Sequence, residues 1–235
     1  IRVRYGTYAI TSAIAISKPI GIYGGYSGLA DTRNPAAFPT VIQGGGVAPH
    51  CFYISGDATI DGLWIMGGRA VGDGAAGEGG AIYIDACDPT INDCTFQDNY
   101  AELHGGAVCA KSSYAGIISD CSFVQNIAGD QGGAIHMHDC DLTVTECAFT
   151  QNKGQIGSTT RGGAIYNNNS TPTITDCIIA NNHARSFGGG IDCLGGSPLI
   201  RNCVISDNVV FDAAGVGGGL NFEDATPTEI GRAHG

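Results

Sequence analysis

The feature that most constrains this chain is an internal repeat of 26 to 30 residues. A Gly-Gly pair, followed by a small residue and an aliphatic residue, returns in six successive units. The pairs begin at Gly79, Gly105, Gly132, Gly162, Gly188 and Gly217. Self-similarity at a fixed period of this size is typical of solenoids, because one unit cannot bury its apolar face alone.

Three further columns of residues keep the same phase as the Gly pairs. The first column is cysteine, at Cys94, Cys121, Cys147, Cys177 and Cys203. Two residues later the positions are Phe96, Phe123, Phe149, Ile179 and Ile205. Three residues beyond these come Asn99, Asn126, Asn152, Asn182 and Asn208. Columns that stay in phase over five units indicate equivalent positions stacked on one another, and we expect the asparagines at turns, where they bond along the stack and tolerate left-handed geometry.

The spacing of apolar residues within a unit selects the architecture. Ile82 and Ile84 alternate with other residues, as do Cys94 and Phe96, and this period of two predicts strands. Three short strands with three turns need about 25 residues, which fits one coil of a parallel β-helix with about 4.8 Å between coils. The sequence therefore predicts an all-β, single-stranded parallel β-helix, and 235 residues make about nine coils.

We expect one domain over residues 1–228, with the repeats clearest over 60–228. Before Gly79 the repeat is degenerate, and Trp64 is expected in the column of Phe96. Residues 229–235 depart from the repeat, and we interpret them as a non-repeat tail, translated from cloning or sequencing adapter at the end of an environmental reading frame. No signal peptide precedes Ile1, so a leader would belong to an earlier part of the natural chain.

Composition argues against nucleic-acid binding and against a membrane-spanning helix. Acidic residues outnumber basic ones 22 to 11, for a net charge of −11, and no basic run exists. Nucleic-acid binding requires phosphate neutralisation, so we expect no nucleic-acid partner. The sequence has no run of 18 apolar residues, so we expect no membrane-spanning helix.

The signatures Gly79-Gly80-Ala81-Ile82 and Phe96-Gln97-Asp98-Asn99 resemble the repeats of polymorphic outer membrane proteins. More widely, the chain resembles right-handed parallel β-helix proteins of the pectin-lyase-like type. This resemblance implies right-handed coiling and a secreted or bacterial cell-surface setting. Such relatives include adhesins as well as polysaccharide lyases and hydrolases, so the resemblance leaves the activity open.

The ten cysteines are open to three interpretations: disulfides, metal ligands or buried hydrophobes. Neighbours in the cysteine column would have parallel Cβ vectors, so bridging them would strain the ladder. No Cys-x-x-Cys exists, which argues against a structural zinc cluster. We therefore expect the column to be small buried hydrophobes.

Residues that alternate with the inward Ile82 column are expected to form an outward ligand-binding face. Its members combine aromatic, imidazole, carboxylate and ammonium groups, namely Tyr83, Asp85, Lys111, His136, His138, Tyr166 and Asp192. Aromatic and carboxylate side chains suit a glycan, and an ordinary solvated strand face is the alternative.

Two chemical sites are conceivable on this face. Cys109, His136 and His138 could hold zinc or copper, although a surface histidine pair beside a stray thiol has the same pattern. For a polysaccharide lyase, Lys111 or Arg161 would be the base, with calcium on Asp85, Glu102 and Asp130. A hydrolase would instead pair Asp85 with Glu102 or Asp130, and solvation of turns explains the same carboxylates.

We favour a non-catalytic extracellular or cell-surface module with a binding, adhesion or structural role, presenting a rigid face to a glycan or surface partner. A carbohydrate-active enzyme, acting on an acidic polysaccharide with or without calcium, is the alternative. The repeat lengths vary only from 26 to 30 residues, which leaves little loop for the walls of a catalytic groove. Open solenoid ends would also permit end-to-end self-association.

Overall fold

The computed structural model describes residues 1–28, 32–46, 48–155 and 159–230. Over these residues the chain coils into a parallel β-solenoid with four sheets, and all strand pairs within the sheets are parallel. One short 3-10 helix covers Gly74–Gly77. The predicted all-β parallel β-helix is therefore confirmed.

The chain passes through sheets I, II, III and IV in that order in each full coil. Sheet I has nine strands, at Arg2–Arg4, Gly21–Tyr26, Thr59–Asp61, Thr90–Asn92, Ile117–Ser119, Thr143–Thr145, Thr173–Thr175, Leu199–Arg201 and Glu229–Ile230. Sheet II has eight strands, at Gly6–Ala9, Thr40–Gln43, Leu63–Met66, Thr95–Gln97, Ser122–Val124, Ala148–Thr150, Ile178–Ala180 and Val204–Ser206.

Sheets III and IV complete each coil. Sheet III has six two-residue strands, at Arg69–Ala70, Tyr100–Ala101, Ile127–Ala128, Lys153–Gly154, His183–Ala184 and Val209–Val210. Sheet IV has eight strands, at Ile14–Ile16, Phe52–Ile54, Ile82–Asp85, Val108–Lys111, Ile135–His138, Ile165–Asn168, Ile191–Leu194 and Leu220–Glu223. The coil therefore has four sides rather than the three expected, because the residues after each column asparagine form a short strand.

The expected count of nine coils is slightly too high. Nine strands stack only in sheet I, and all four sheets run together through only six coils. Within the residues that the structure describes, the first two coils have no strand in sheet III. A mean repeat length applied to the whole chain overestimates the count, because the segment between Tyr26 and Thr40 adds residues without adding a coil.

The core is a set of columns that run along the solenoid axis. Phe96, Phe123 and Phe149 stack with ring centroids 4.7 and 4.6 Å apart and are fully buried. Ile65 pairs with Phe96 and continues this column, whereas Trp64 points outward and is 44% exposed. The expectation that Trp64 lies in the phenylalanine column is wrong by one residue, because Leu63 occupies the place of the column cysteine.

Glycine is required at the turn into sheet IV. Gly105 has a φ of +64°, a left-handed conformation that favours glycine. At Gly106 an added Cβ would lie 2.2 Å from the carbonyl oxygen of Gly133 in the next coil. The first glycine of each pair therefore allows the left-handed backbone conformation of the turn. The second has no side chain that would clash with the neighbouring coil.

The asparagine column forms a buried amide ladder, as predicted. The Asn126 side-chain amide donates to Asn152 Oδ1 at 2.9 Å and to the Phe96 carbonyl at 3.0 Å, and Asn152 Oδ1 also accepts the Asn126 backbone N–H at 3.0 Å. The left-handed conformation expected at the asparagine falls on the preceding residue, such as Gln125 with a φ of 57°. The asparagine side chain points inward, where its amide forms hydrogen bonds with backbone N–H and carbonyl groups of neighbouring coils.

All ten cysteines are free and buried, which confirms the expectation for the cysteine column. Each column thiol donates to a backbone carbonyl two residues earlier, for example Cys147 to Thr145 at 3.1 Å. At the far end of the chain, Glu229–Ile230 pairs with Leu199–Ile200, so sheet I extends two residues into the expected tail. Residues 231–235 of that tail lie outside the described residues.

Candidate functional site

The column of sheet IV that was expected to face solvent is buried. Tyr83 is 5% exposed, His136 3%, Tyr166 1%, and Cys109 and Asp192 are fully buried. A line of residues ahead of the Gly pairs, formed by His104, Gln131, Arg161, Phe187 and Val216, runs coil to coil through isolated parallel bridges. Ring contacts and hydrogen bonds tie this line to the column, so the prediction of an open binding face is wrong at these five positions.

The next outward column of sheet IV reaches solvent only in part. Asp85 accepts a hydrogen bond from the Tyr53 hydroxyl, which raises the pKa of Tyr53 to about 12. His138 has a 41% exposed side chain, and its ring contacts the Asn168 amide at 3.0 Å and the Asp139 carboxylate at 3.4 Å. Of the predicted face, Asp85, Lys111 and His138 therefore remain partly accessible.

Glu78 is the centre of a buried polar cluster, and it is 3% exposed. Lys111 Nζ lies 2.6 Å from Glu78 Oε2, and His104 Nε2 lies 3.8 Å from Oε1. Cys109 Sγ is 3.8 Å from Oε2 and 3.5 Å from His136 Nδ1. The contacts of this cluster hold the Glu78 carboxylate in place. Neither the Cys109 thiol nor the His136 imidazole has access to solvent.

The geometry disfavours the two residues considered as a lyase base. Burial is the largest single influence on the pKa of Lys111 and lowers it, but the hydrogen bond to Glu78 and the negative charge of nearby groups together outweigh burial, so the net shift is upward. Arg161 pairs with Asp192 and Glu223, and these carboxylates raise its pKa against the effect of desolvation. Because a general base works best with a pKa near the operating pH, both cations are better suited to structural ion pairing.

The carboxylates considered for calcium or hydrolysis have separate partners. Asp85 is bonded to Tyr53 in sheet IV, whereas Glu102 Oε2 accepts the backbone N–H of Gly72 at 2.9 Å. Asp130 is half-buried on the turn that carries Gln131. Calcium binding and paired-carboxylate chemistry at these residues stay predictions.

Cys109, His136 and His138 do not converge as metal ligands. Cys109 and His136 are in contact, but the ring centroids of His136 and His138 are 6.4 Å apart because the residues are two positions apart on one strand. Over the described residues, no group of three His, Cys, Asp or Glu side chains is arranged to hold a metal ion. Burial raises the pKa of the Cys109 thiol and lowers that of His136, so both are neutral near pH 7.

A surface groove of about 320 Å³ lies at the corner between sheets II and III. Its lining side chains come from four successive coils, namely Asp98, Gln125, Ile127, Gln151, Lys153 and His183. Each side chain leaves a strand or turn whose backbone is bonded to the coils on both sides. The groove therefore runs along the solenoid axis on a rigid base.

Two aromatic side chains that do not themselves line the corner groove lie next to its lining residues, one at each end. At one end Tyr100, the register neighbour of Ile127, has the Arg69 guanidinium 4.5 Å from its ring centroid. At the other end the exposed Phe211 ring contacts His183 edge-on at 5.1 Å. Desolvation and the nearby Lys153 charge lower the pKa of His183, so its imidazole is neutral near pH 7. The corner groove thus combines aromatic edges, amides and one ion of each sign.

The position of the lining residues relative to the asparagine column is a sequence feature from which the corner groove could have been predicted. The lining residues immediately precede or follow the asparagine column, as Gln125 and Ile127 flank Asn126. Because Asn126 points inward, both of its neighbours must point outward. None of the six residues that line this corner was among the predicted site residues.

A family model described as a right-handed β-helix region matches residues 80–230. The chain therefore belongs to the right-handed β-helix family, and the match agrees with the four parallel sheets. No curated protein and no solved structure was found to match the chain. In the described part of the chain, no helix has the length and apolar character needed to cross a membrane.

Proposed function

We propose that this chain is a non-catalytic module of an extracellular or cell-surface protein, and that it binds a glycan in the corner groove. The observation that carries the proposal is the groove itself, which aligns polar side chains from four coils and has an aromatic side chain next to its lining residues at each end. Glycans are bound by such mixtures of hydrogen-bonding groups and aromatic faces, because sugars have both hydroxyls and apolar C–H surfaces.

The rigid backbone supports a binding role. Side chains that line the corner groove rise from ladders such as Tyr100–Ile127–Lys153–His183, in which every strand is bonded on both sides. Preorganised side chains bind with less loss of conformational entropy than side chains on mobile loops. The resemblance of the Gly-Gly-Ala-Ile and Phe-x-x-Asn signatures to polymorphic outer membrane protein repeats supports the surface setting.

An enzyme acting on acidic polysaccharides has less support. Its candidate bases, Lys111 and Arg161, are both engaged in ion pairs, and Glu78, the partner of Lys111, is buried. A screen of polysaccharides for unsaturated uronates and new reducing ends tests this alternative directly. Turnover that is lost in Lys111→Ala would overturn the non-catalytic proposal.

The binding proposal is tested on a panel of immobilised neutral, acidic and amino-sugar oligosaccharides. We expect the purified chain to retain a subset of the panel, and the double variant Gln151→Ala/Lys153→Ala to weaken that binding about tenfold, as loss of two hydrogen bonds would. Gln43→Ala is the matched control, because Gln43 is an exposed amide of sheet II, two coils before Gln97, and does not line the corner groove. Retention of no glycan, or equal binding by the double variant, contradicts the proposal.

A further inference from the structure

The ligand of the corner groove is constrained first by charge. The lining side chains include one carboxylate, Asp98, and one ammonium, Lys153, while the His183 imidazole is neutral near pH 7. The corner groove therefore has no net charge, and it lies on a chain with a net charge of −11. A polyanionic glycan would be repelled at long range without a compensating cationic surface, so a neutral ligand fits better.

Two side-chain amides lie in the middle of the corner groove. Gln125 and Gln151 occupy equivalent exposed positions in successive coils, about 4.8 Å apart. Within the described residues, neither side-chain amide has a hydrogen-bond partner. Each amide offers both a donor and an acceptor to a ligand.

One aliphatic side chain lies beside these amides. Ile127 is half-buried and is, among the residues that the structure describes, the one aliphatic residue that lines the corner groove. An acetamido group presents a carbonyl acceptor, an N–H donor and a methyl group, which match the amides and the isoleucine. A hydroxyl in the same position would satisfy the amides but would place a polar group against Ile127, at a cost in desolvation.

We propose that the corner groove is selective for a neutral glycan whose sugar units carry acetamido groups. The acetamido oxygen and N–H contact Gln125 and Gln151, and the methyl group contacts Ile127. This inference rests on the proposed glycan-binding function and goes beyond it by naming the class of sugar.

The inference is tested by calorimetric titration with three matched tetrasaccharides. The probes are the β-1,4 tetramer of N-acetylglucosamine, its fully deacetylated form, and cellotetraose, which has the same linkage with a hydroxyl in place of the acetamido group. We expect the acetylated tetramer to bind about tenfold or more tightly than either of the other two, as one lost apolar contact and one lost hydrogen bond predict.

Variants separate the contributions. Ile127→Ser should lower affinity for the acetylated tetramer and leave cellotetraose almost unchanged, because only the methyl contact is lost. Gln125→Ala and Gln151→Ala should weaken the acetylated tetramer, and Gln43→Ala should not. Circular dichroism of each variant establishes that the fold is retained.

Each outcome has a distinct meaning. Equal binding of acetylated tetramer and cellotetraose, or preference for the deacetylated tetramer, overturns the acetamido inference while the glycan-binding function stands. Absence of binding by every neutral, acidic and amino-sugar probe overturns both. Selective binding of the acetylated tetramer that survives Ile127→Ser also overturns the inference, because the methyl contact would then lie elsewhere.

Discussion

The Lys111 ammonium lies 2.6 Å from Oε2 of the buried Glu78 carboxylate. Lys111 is on a sheet IV strand, whereas Glu78 precedes the first of the six Gly pairs, so the ion pair ties a turn to the sheet of the following coil. The pair is asymmetric, because the Glu78 side chain is 5% exposed and that of Lys111 is 32% exposed.

Removal of the lysine should therefore destabilise the fold. In Lys111→Ala the Glu78 carboxylate stays buried without its cation, and we expect the free energy of unfolding to fall by about 3 kcal/mol, as for other broken buried pairs. Urea denaturation measures this loss, and the double variant Lys111→Ala/Glu78→Gln should recover part of it. A loss of no more than about 0.5 kcal/mol would mean that the pair behaves as an exposed one.

Interruption of the asparagine ladder should also lower the free energy of unfolding. In Asn126→Ala the Asn99 backbone N–H and the Phe96 carbonyl lose a partner in a dry interior, which should cost about 2–4 kcal/mol. Ser122→Ala, on the outer side of the neighbouring strand, is the control and should change stability by less than about 0.5 kcal/mol. Equal effects of the two substitutions in urea denaturation would show that the ladder contributes little.

Acid should weaken the fold through its buried imidazoles. Desolvation lowers the pKa of His50, His104 and His136 below the ordinary histidine value of 6.5, so the unfolded chain binds protons that the folded chain does not. Their contribution is complete above pH 6.5 and is lost as pH falls through the folded pKa values. Burial instead raises the pKa of the Asp192 carboxyl from 3.8. At lower pH the folded chain therefore binds this proton more readily than the unfolded chain, which favours folding.

Thermal unfolding at several pH values checks this prediction. We expect the melting temperature to fall steadily between about pH 7 and about pH 5. His136→Phe keeps an aromatic ring beside Tyr166 and removes the titrating group, so its melting temperature should depend less on pH. A pH-independent melting temperature in the parent chain would contradict the prediction.

The thiols should be inert in the native state. All ten cysteines are free and buried, and the column thiols donate to backbone carbonyls. We expect a thiol-specific reagent to label the folded chain only at the rate of unfolding and to label ten thiols in denaturant. Reductant should leave the melting temperature unchanged, whereas a fall on reduction would indicate disulfides.

The first coil exposes an apolar surface that should favour self-association. Val3, Ile10, Ile14 and Phe52 line an open groove of about 550 Å³ at this end of the solenoid, beside the outer edge of the Ile14–Ile16 strand. Apolar surface beside a free strand edge promotes pairing with a second copy. Light scattering of the 235-residue chain should show association that rises with concentration and weakens in Ile14→Lys. A monomer at all concentrations would contradict this.

The repeat predicted the core well. Equivalent positions must stack when a chain coils with a constant period, so Cys94, Phe96 and Asn99 each define a buried column without further information. Trp64 was misplaced by one residue because Leu63, rather than a cysteine, begins that strand, and the degenerate unit offered no cysteine to set the register.

The binding site was less predictable. Alternation along a strand states which side chains leave the central apolar core, and Tyr83 and His136 do lie outside that core cluster although both are buried. It cannot state what lies over them, and Glu78, His104 and Arg161 cover that column through contacts between residues about 30 positions apart. The corner groove is open at Gln125 and Gln151, whose side chains are both exposed.

The sequence by itself determined the period, the stacked columns and therefore the parallel β-helix, because these depend on local spacing repeated along the chain. Only the tertiary structure decided which outward column is covered and which is open. Coverage depends on where the turns of one coil lie against the strands of the next, and on ion pairs such as Lys111–Glu78 that join distant parts of the chain. Local periodicity carries no information about those contacts.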